Sequence, residues 1–332
     1  MDRRRLGRDG AEVSALGIGG MSFADFYGPT TEAESHAILD AAMELGITHL
    51  DTANVYGAGR SETAIGRYLK TRQGARAHFT IATKAGITSD AQGRRVIDNS
   101  AAYLEGELDQ SLARLGIEAV DLFYVHRRDD RLPIEEVTET LAALVRKGKA
   151  RAIGFSEIAP GSLRRAAAVH PVAAVQSEYS LATRAPELGL VQACADLGTA
   201  LVAFSPVGRS LLTDAPIPLD VAQGLPFLKG NPRFQAPNHA ANIAATDRLR
   251  ALAREMGEPA AALAIAWVLS RGGHVLAIPG TRSVAHFRDL ACGAGLRLAP
   301  DALAAIEAAL PVGWAHGDRY GPMQWVGIER YC

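Results

Sequence analysis

Four side chains suited to proton chemistry stand at the ends of strand-like runs or just beyond them. Asp51 and Tyr56 lie in ITHLDTANVYGAGR (47–60), Lys84 closes HFTIATK (78–84), and His126 closes VDLFYVH (120–126). A phenol titrates near ~10 and is a poor acid around neutrality unless a cation and hydrogen bonds stabilise its phenolate. A lysine within ~4–6 Å is expected to bring Tyr56 down to roughly 7–9, where it can both give and take a proton. Asp51 would hold Lys84 charged and oriented, and His126 would hydrogen-bond the oxygen of the reacting group. Such a set donates a proton to an oxygen that is gaining negative charge. It holds no nucleophile and no metal cage, so a second reactant must be brought in.

Other chemistries use the same residue types. Asp51 and Tyr56 could cap a turn, and Lys84 could be a Schiff-base lysine, although a lysine paired with Asp51 stays charged and is a poor amine nucleophile. His49 and Asp51 form an HxD pair, the start of a metal-dependent hydrolase site, which needs further ligands at other strand ends. Those ends read Gly19-Gly20, Gly154, Gln176 and Pro279-Gly280 and supply none, which leaves His49 as a core residue.

The elements that must position these groups follow a repeating strand–loop–helix pattern. Strand-like runs fall at 15–19, 47–51, 79–83, 119–125, 150–154, 173–177, 199–204 and 275–278. Amphipathic helices are expected near 31–45, 61–71, 100–115, 134–147, 161–169, 186–196, 242–256 and 283–292, several stopped by a glycine such as Gly46, Gly116, Gly148, Gly198 or Gly257. Thr31 and Glu34 are spaced as a capping box. Eight such units predict a closed parallel (β/α)₈ TIM barrel, in which reactive groups gather at the C-terminal strand ends. Arg3–Leu6 and Glu12–Leu16 around Asp9-Gly10 read as an N-terminal β-hairpin. The stretch 205–240 reads as a long irregular loop, 259–270 as an extra buried helix, and 300–310 as a last helix before an aromatic tail with Trp314, Tyr320, Trp325 and Tyr331. No boundary divides 1–332, which is expected to form one domain.

Composition narrows the function classes. The 332 residues carry 35 basic and 36 acidic side chains and are 48% hydrophobic, with a formal charge of −1. No global field favours nucleic acid or an anionic membrane. No apolar run approaches the ~20 residues of a membrane span, and the charged start MDRRRLGRDG lacks the apolar core of a signal peptide. Cys194, Cys292 and Cys332 form no CxxC and read as reduced thiols of a cytoplasmic protein. Cys194 and Cys292 fall on helix faces as packing residues, and Cys332 is a terminal thiol.

HLDTANVYGAGRSE, IATKAG, DLFYVHR, IGFSE, QSEYSL, FSPVGRS and IPGTR, in this order, resemble the landmarks of the aldo-keto reductase superfamily over nearly the whole chain. FYGP at 26–29 and NPRFQ at 231–235 are similar to its bacterial and plant branch. The resemblance implies a nicotinamide cofactor extended across the barrel mouth and hydride transfer to the carbonyl carbon of an aldehyde or ketone. It makes Tyr56 the general acid, Lys84 and Asp51 its tuning pair, and His126 the orienting group. It places Ser156 and Gln176 on the carboxamide, Phe204 against the nicotinamide ring, and Gly20 and Met21 around it. Ser205, Val207, Gly208 and Arg209 would meet the pyrophosphate, a reading that also fits backbone N–H groups and a cation gathered in one loop. Gly280, Thr281 and Arg282, before Ser283, would receive the adenosine phosphate at a helix N-terminus. Helix eight departs from the pattern, with His286, Asp289 and Leu290 where Arg, Glu and Asn are usual, so the 2′-phosphate falls to Arg282 and Arg288. NADPH is favoured, with NAD as the alternative.

The substrate pocket is expected around Phe23, Phe26, Tyr27, Tyr56, His126 and Arg127, with Trp314, Tyr320 and Trp325 either covering the barrel wall or lining that pocket. Two other functions share these residues. One is an NAD-dependent dehydrogenase of a sugar- or pyridoxal-like alcohol, and the other is a cofactor-sensing regulatory subunit resembling the potassium-channel β subunits.

Overall fold

The computed structural model describes residues 1–331. The strands are β1 (Arg3–Arg5), β2 (Glu12–Ser14), β3 (Gly17–Gly19), β4 (His49–Asp51), β5 (Thr80–Ala85), β6 (Ile87–Ser89), β7 (Arg95–Ile97), β8 (Leu122–Val125), β9 (Ile153–Ser156), β10 (Ala174–Glu178), β11 (Ala200–Phe204) and β12 (Val275–Ile278). The helices are α1 (Glu32–Glu44), α2 (Arg60–Thr71), α3 (Ala75–His78), α4 (Ala101–Leu115), α5 (Ile134–Arg146), α6 (Pro160–Val169), α7 (Leu190–Leu197), α8 (Leu219–Gly224), α9 (Pro226–Lys229), α10 (Asn238–Met256), α11 (Ala260–Leu269), α12 (Val284–Gly293) and α13 (Pro300–Ala309).

Eight strands form one parallel sheet in the order β12-β11-β10-β9-β8-β5-β4-β3. A parallel bridge between Leu16 and Ala277, with the Gly19 N–H donating to the Pro279 carbonyl at 2.9 Å, joins its two edges into the expected barrel. Strands begin later than several apolar runs suggest. Val120, for example, makes only an isolated bridge to Ala150, so β8 starts at Leu122.

Two packed layers hold the barrel. Inside it, Ala82, Leu122, Tyr124, Ala174, Ala200, Val202 and Leu276 form one cluster, and Leu6 and Val13 from the hairpin β1–β2 pack into the same cluster. Outside, the helices bury their apolar faces against the strands, and α11 is buried at every residue. The capping box is present: the Glu34 N–H donates to Thr31 Oγ1 at 3.2 Å and the Thr31 N–H to the Glu34 carboxylate at 2.7 Å. Two segments differ from the sequence reading. The stretch 205–240 contains α8 and α9 around a small core of Leu211, Ala222, Leu228 and Phe234. The segment after β5 folds into the antiparallel hairpin β6–β7.

Candidate active site

Register fixes the central pair. Asp51 ends β4 beside Ala82 of β5, and Lys84 follows two residues later, so that both point into the buried barrel interior. Lys84 Nζ donates to Asp51 Oδ1 and, at 2.8 Å, to the Thr52 carbonyl. The second Asp51 oxygen accepts from Gln176 Nε2 at 2.8 Å. All three side chains are thereby tied into one network under the barrel mouth.

Tyr56 reaches over this network from the loop after β4, with Lys84 Nζ 5.3 Å from its ring centroid. His126, just past β8, meets the Tyr56 ring edge-to-face at 5.8 Å, and Phe26 packs on Tyr56 at 5.9 Å. The four residues singled out in sequence therefore come together.

Their electrostatics differ from the expected tuning. Burial pushes the Tyr56 phenol well up, the Asp51 carboxylate adds to that, and Arg127 only partly opposes it. Burial in turn pushes the Lys84 ammonium down, against the pull of Asp51. The charge of Lys84 is matched at contact by Asp51, so Lys84 does not bring the phenol down against burial and Asp51. Tyr56 is thus a neutral, proton-bearing phenol rather than one poised at 7–9. Burial also drives His126 well below its ordinary pKa, reinforced by Arg127, Lys84 and Arg95, which leaves a neutral imidazole whose Nδ1 has no partner.

A cavity of about 620 Å³ opens above these groups. At one end it is lined by Phe26, Tyr27, Tyr56, His126 and Arg127, as expected for a substrate pocket. From there it runs past Met21, Gln176, Phe204, Ser205 and Val207 to Gly280, Thr281, Arg282 and Asp289. His286 and Leu290 line that far end. Several expected residues do not line it. Phe23 is buried in the main core beneath the mouth. Gly20 is packed, with a Cβ there placed 2.9 Å from Ser61 Oγ, and Gly19 and Ser22 line the cavity in its stead. Ser156 is buried and accepts from Arg127 Nη1 at 3.0 Å. Gly208 lies behind the wall, and Arg288 is drawn off to Glu44 at 3.0 Å.

The aldo/keto reductase family model matches residues 15–311. The chain belongs to the aldo/keto reductase family. It is therefore an NAD(P)H-dependent oxidoreductase that acts on carbonyls or alcohols. It is similar to a probable aldo-keto reductase of Glycine max, 39% identical over 95% of this chain and 91% of that one. An aldo-keto reductase of Schizosaccharomyces pombe whose name carries NADP(+) is 36% identical over 96% and 94%. Among solved structures, a glycerol dehydrogenase from Gluconobacter oxydans superimposes with a TM-score of 0.81 at 29% identity, covering 93% of this chain and 95% of that one. A holo aldo-keto reductase from Bacillus halodurans does so with 0.77 at 26% identity, over 98% and 99%.

In this aldo/keto reductase the guanidinium expected on the pyrophosphate is engaged elsewhere. Arg209 is 5% exposed and donates through Nη2 to Glu178 Oε2 at 2.6 Å and through Nη1 to the Arg319 carbonyl at 2.9 Å. Arg233 lies 3.6 Å from the other Glu178 oxygen, and Arg319 pairs with Glu157. Two buried carboxylates and three arginines thus pin the C-terminal tail to the barrel mouth. The pairing has a plain cause: Glu178 ends β10, next to β11, and offers a desolvated carboxylate at contact, while Arg209 still lines the cavity. The backbone of that loop keeps the expected character, with Ser205, Gly208, Arg209 and Ser210 all at positive φ between 50° and 90°.

Of the tail aromatics, Tyr320 lines the cavity. Trp314 donates to the Leu181 carbonyl at 2.8 Å, and Trp325 donates to Asp318 at 3.0 Å while stacking on arginines. Cys194 is buried as expected, Cys292 is exposed instead of packed, and Cys332 lies outside the described residues. Sequence reasoning missed Arg95 on β7, which lines the cavity. The turn residues Asp90 and Gly93 before it were the available signal for its hairpin.

Among the described residues no helix is long and apolar enough to cross a membrane.

Proposed function

We propose that this aldo/keto reductase reduces an aldehyde or ketone to the alcohol with NADPH, Tyr56 giving the proton. The observation that carries the reading is the Tyr56–His126 pair facing the cavity directly above the buried Asp51–Lys84–Gln176 network. When bound, the reduced nicotinamide supplies a hydride to the carbonyl carbon. Tyr56, its proton retained by burial, donates to the oxygen as charge develops there. Neutral His126 aligns that oxygen, and the positive neighbour Arg127 stabilises the phenolate left behind.

The residues present fit the dinucleotide. Phe204 lines the cavity wall, and the loop 205–210, left-handed at Ser205 and at Gly208, Arg209 and Ser210, supports a backbone cradle for a pyrophosphate. Ser283 caps α12 at the far end. Arg282 is exposed there, donating among the described residues only to the Pro29 carbonyl at 2.7 Å, which supports a 2′-phosphate contact. The name of the fission-yeast relative supports NADP(H) as well.

An NAD-linked alcohol dehydrogenase is the second reading. It is favoured by the likeness to a glycerol dehydrogenase and by the loss of Arg288 to Glu44. Titration with NADPH and with NADH, followed by quenching of tryptophan fluorescence, separates the two. We expect tighter NADPH binding, with Arg282→Ala weakening NADPH about tenfold and leaving NADH unchanged, the share of one charge-assisted contact. A preference for NADH in the parent protein would decide for the dehydrogenase.

A further inference from the structure

We propose that the carbonyl substrate carries a carboxylate and that Arg95, flanked by Arg127, receives it. The inference deepens the reductase reading above and rests on it. Arg95 begins β7, and together with Ile87 of β6 and with Arg127 it lines the end of the cavity that holds Tyr56 and His126.

Its Nε and Nη2 atoms are buried without a hydrogen-bond partner among the described residues. No carboxylate lies within ion-pair distance of it among the described residues, and the charge that acts on it most is the like charge of Arg127. Burial brings the guanidinium down to about 10, so it stays cationic at neutral pH. Arg127 has its Nη1 on the His126 carbonyl and Ser156, while its Nε is also buried and unpartnered. Glu157, the carboxylate that feels Arg127, is already paired with Arg319.

Two desolvated cations that act on one another, with no carboxylate at contact and three buried N–H-bearing atoms unpartnered, form a costly arrangement. An oxyanion entering the cavity relieves it when Arg95 turns this buried, unpartnered edge onto the ligand.

The edge that lacks a partner names the anion. Nε and Nη2 form the side-on fork, and in this same chain that fork takes both oxygens of a glutamate in Arg165–Glu135 and in Arg184–Glu187. A planar carboxylate matches it in bidentate fashion. The anion is not a cofactor phosphate in this reading, because Arg95 and Arg127 follow β5 and β8 whereas the phosphate-binding segments proposed above follow β11 and β12.

The test compares aldehydes on one ring: 4-carboxybenzaldehyde, methyl 4-formylbenzoate and 4-formylphenyl phosphate, each with saturating NADPH. The carboxylated aldehyde is expected to exceed the ester in kcat/KM by about tenfold or more, mostly through KM. In Arg95→Met that ratio should fall about fivefold or more, and Arg95→Lys should keep part of it, with the Kd of NADPH unchanged in both. Equal rates on acid and ester, an unaltered ratio in the Met variant, or weakened NADPH binding would each overturn the proposal. Preference for the phosphate over the carboxylate would overturn the choice of carboxylate. If no aldehyde is turned over, the reductase reading fails separately. Benzoate titrated against benzamide then decides: tenfold tighter benzoate binding that is lost in Arg95→Met upholds the subsite, and equal binding removes it.

Discussion

At the scale of single residues, the site is governed by what burial does to charge. Tyr56 holds its proton because burial and Asp51 disfavour the phenolate, so an acid is available across the whole neutral range. Replacing Tyr56 by Phe is expected to lower turnover by ~10²–10⁴ while leaving the cofactor Kd within about twofold, since the ring and its contacts remain. Stopped-flow hydride transfer and a fluorescence titration measure the two quantities. His126 sharpens the pH dependence. Its pKa is depressed, so protonation sets in only below the ordinary histidine range. The kcat profile for reduction is therefore expected to be flat from about pH 6 to 8, without a histidine limb. A limb near the ordinary value, absent in His126→Ala, would contradict the burial argument. The convergence of Asp51, Tyr56, Lys84 and His126 was legible in the sequence because each sits at or just after a strand end. The sign of the Tyr56 shift was not, because a spacing rule locates a lysine without showing that Asp51 already matches its charge. Likewise Arg209 reads as a free cation until Glu178, far along the chain, is found beside it.

At the scale of elements, the tail after α13 holds the mouth in shape. Arg319 brings one guanidinium to both Glu157 and Glu178, carboxylates that are nearly fully buried. Burial works to raise Glu157, yet the attraction and hydrogen bond of Arg319, aided by Arg127 and the Glu178 N–H, hold it below its ordinary value. A carboxylate depressed in the folded state contributes stability that is present above its unfolded pKa of ~4.3 and lost as pH falls through the folded value. Arg319→Ala strands the buried charge of Glu157, whereas Glu178 keeps Arg209 and Arg233, and a loss of about 3–5 kcal/mol is expected at pH 7, read by urea denaturation. The loss should begin to shrink already above about pH 4.3, because burial without Arg319 raises the stranded Glu157 and it takes up its proton there. This device was not legible beforehand. An aromatic tail can be recognised from Trp314, Tyr320 and Trp325, but nothing local tells which of several arginines turns inward. The helices with local end signals, such as α1 and α4, were by contrast readable nearly to the residue, because capping by Thr31 and a stop such as Gly116 at φ 67 are local chemistry, whereas α7 and α10 begin four residues from where the pattern put them.

At the scale of the whole molecule, the packed interior and the reaction site share side chains. Tyr124 of β8 fills the barrel, and its ring lies 5.8 Å from Lys84 Nζ, so the floor of the site is also part of the core. The ring fits because the neighbouring strand carries Gly154 opposite it. A Cβ at Gly154 would stand 2.5 Å from two ring carbons of Tyr124 and 2.8 Å from the Ala174 carbonyl. The carbonyl belongs to the β9–β10 ladder and has little freedom, so relief must come from the ring, which moves toward the lysine. Gly154→Ala is therefore expected to cost about 1–3 kcal/mol of stability, the usual range for an added methyl in a full core. It should also slow hydride transfer, since a displaced Tyr124 crowds the Lys84–Asp51 pair beneath Tyr56. A thermal melt and a single-turnover rate measured on the same preparation check both halves. Lost stability with an unchanged rate would show that the ring moves away from the lysine, and that the barrel core and the reaction site are independent at this contact.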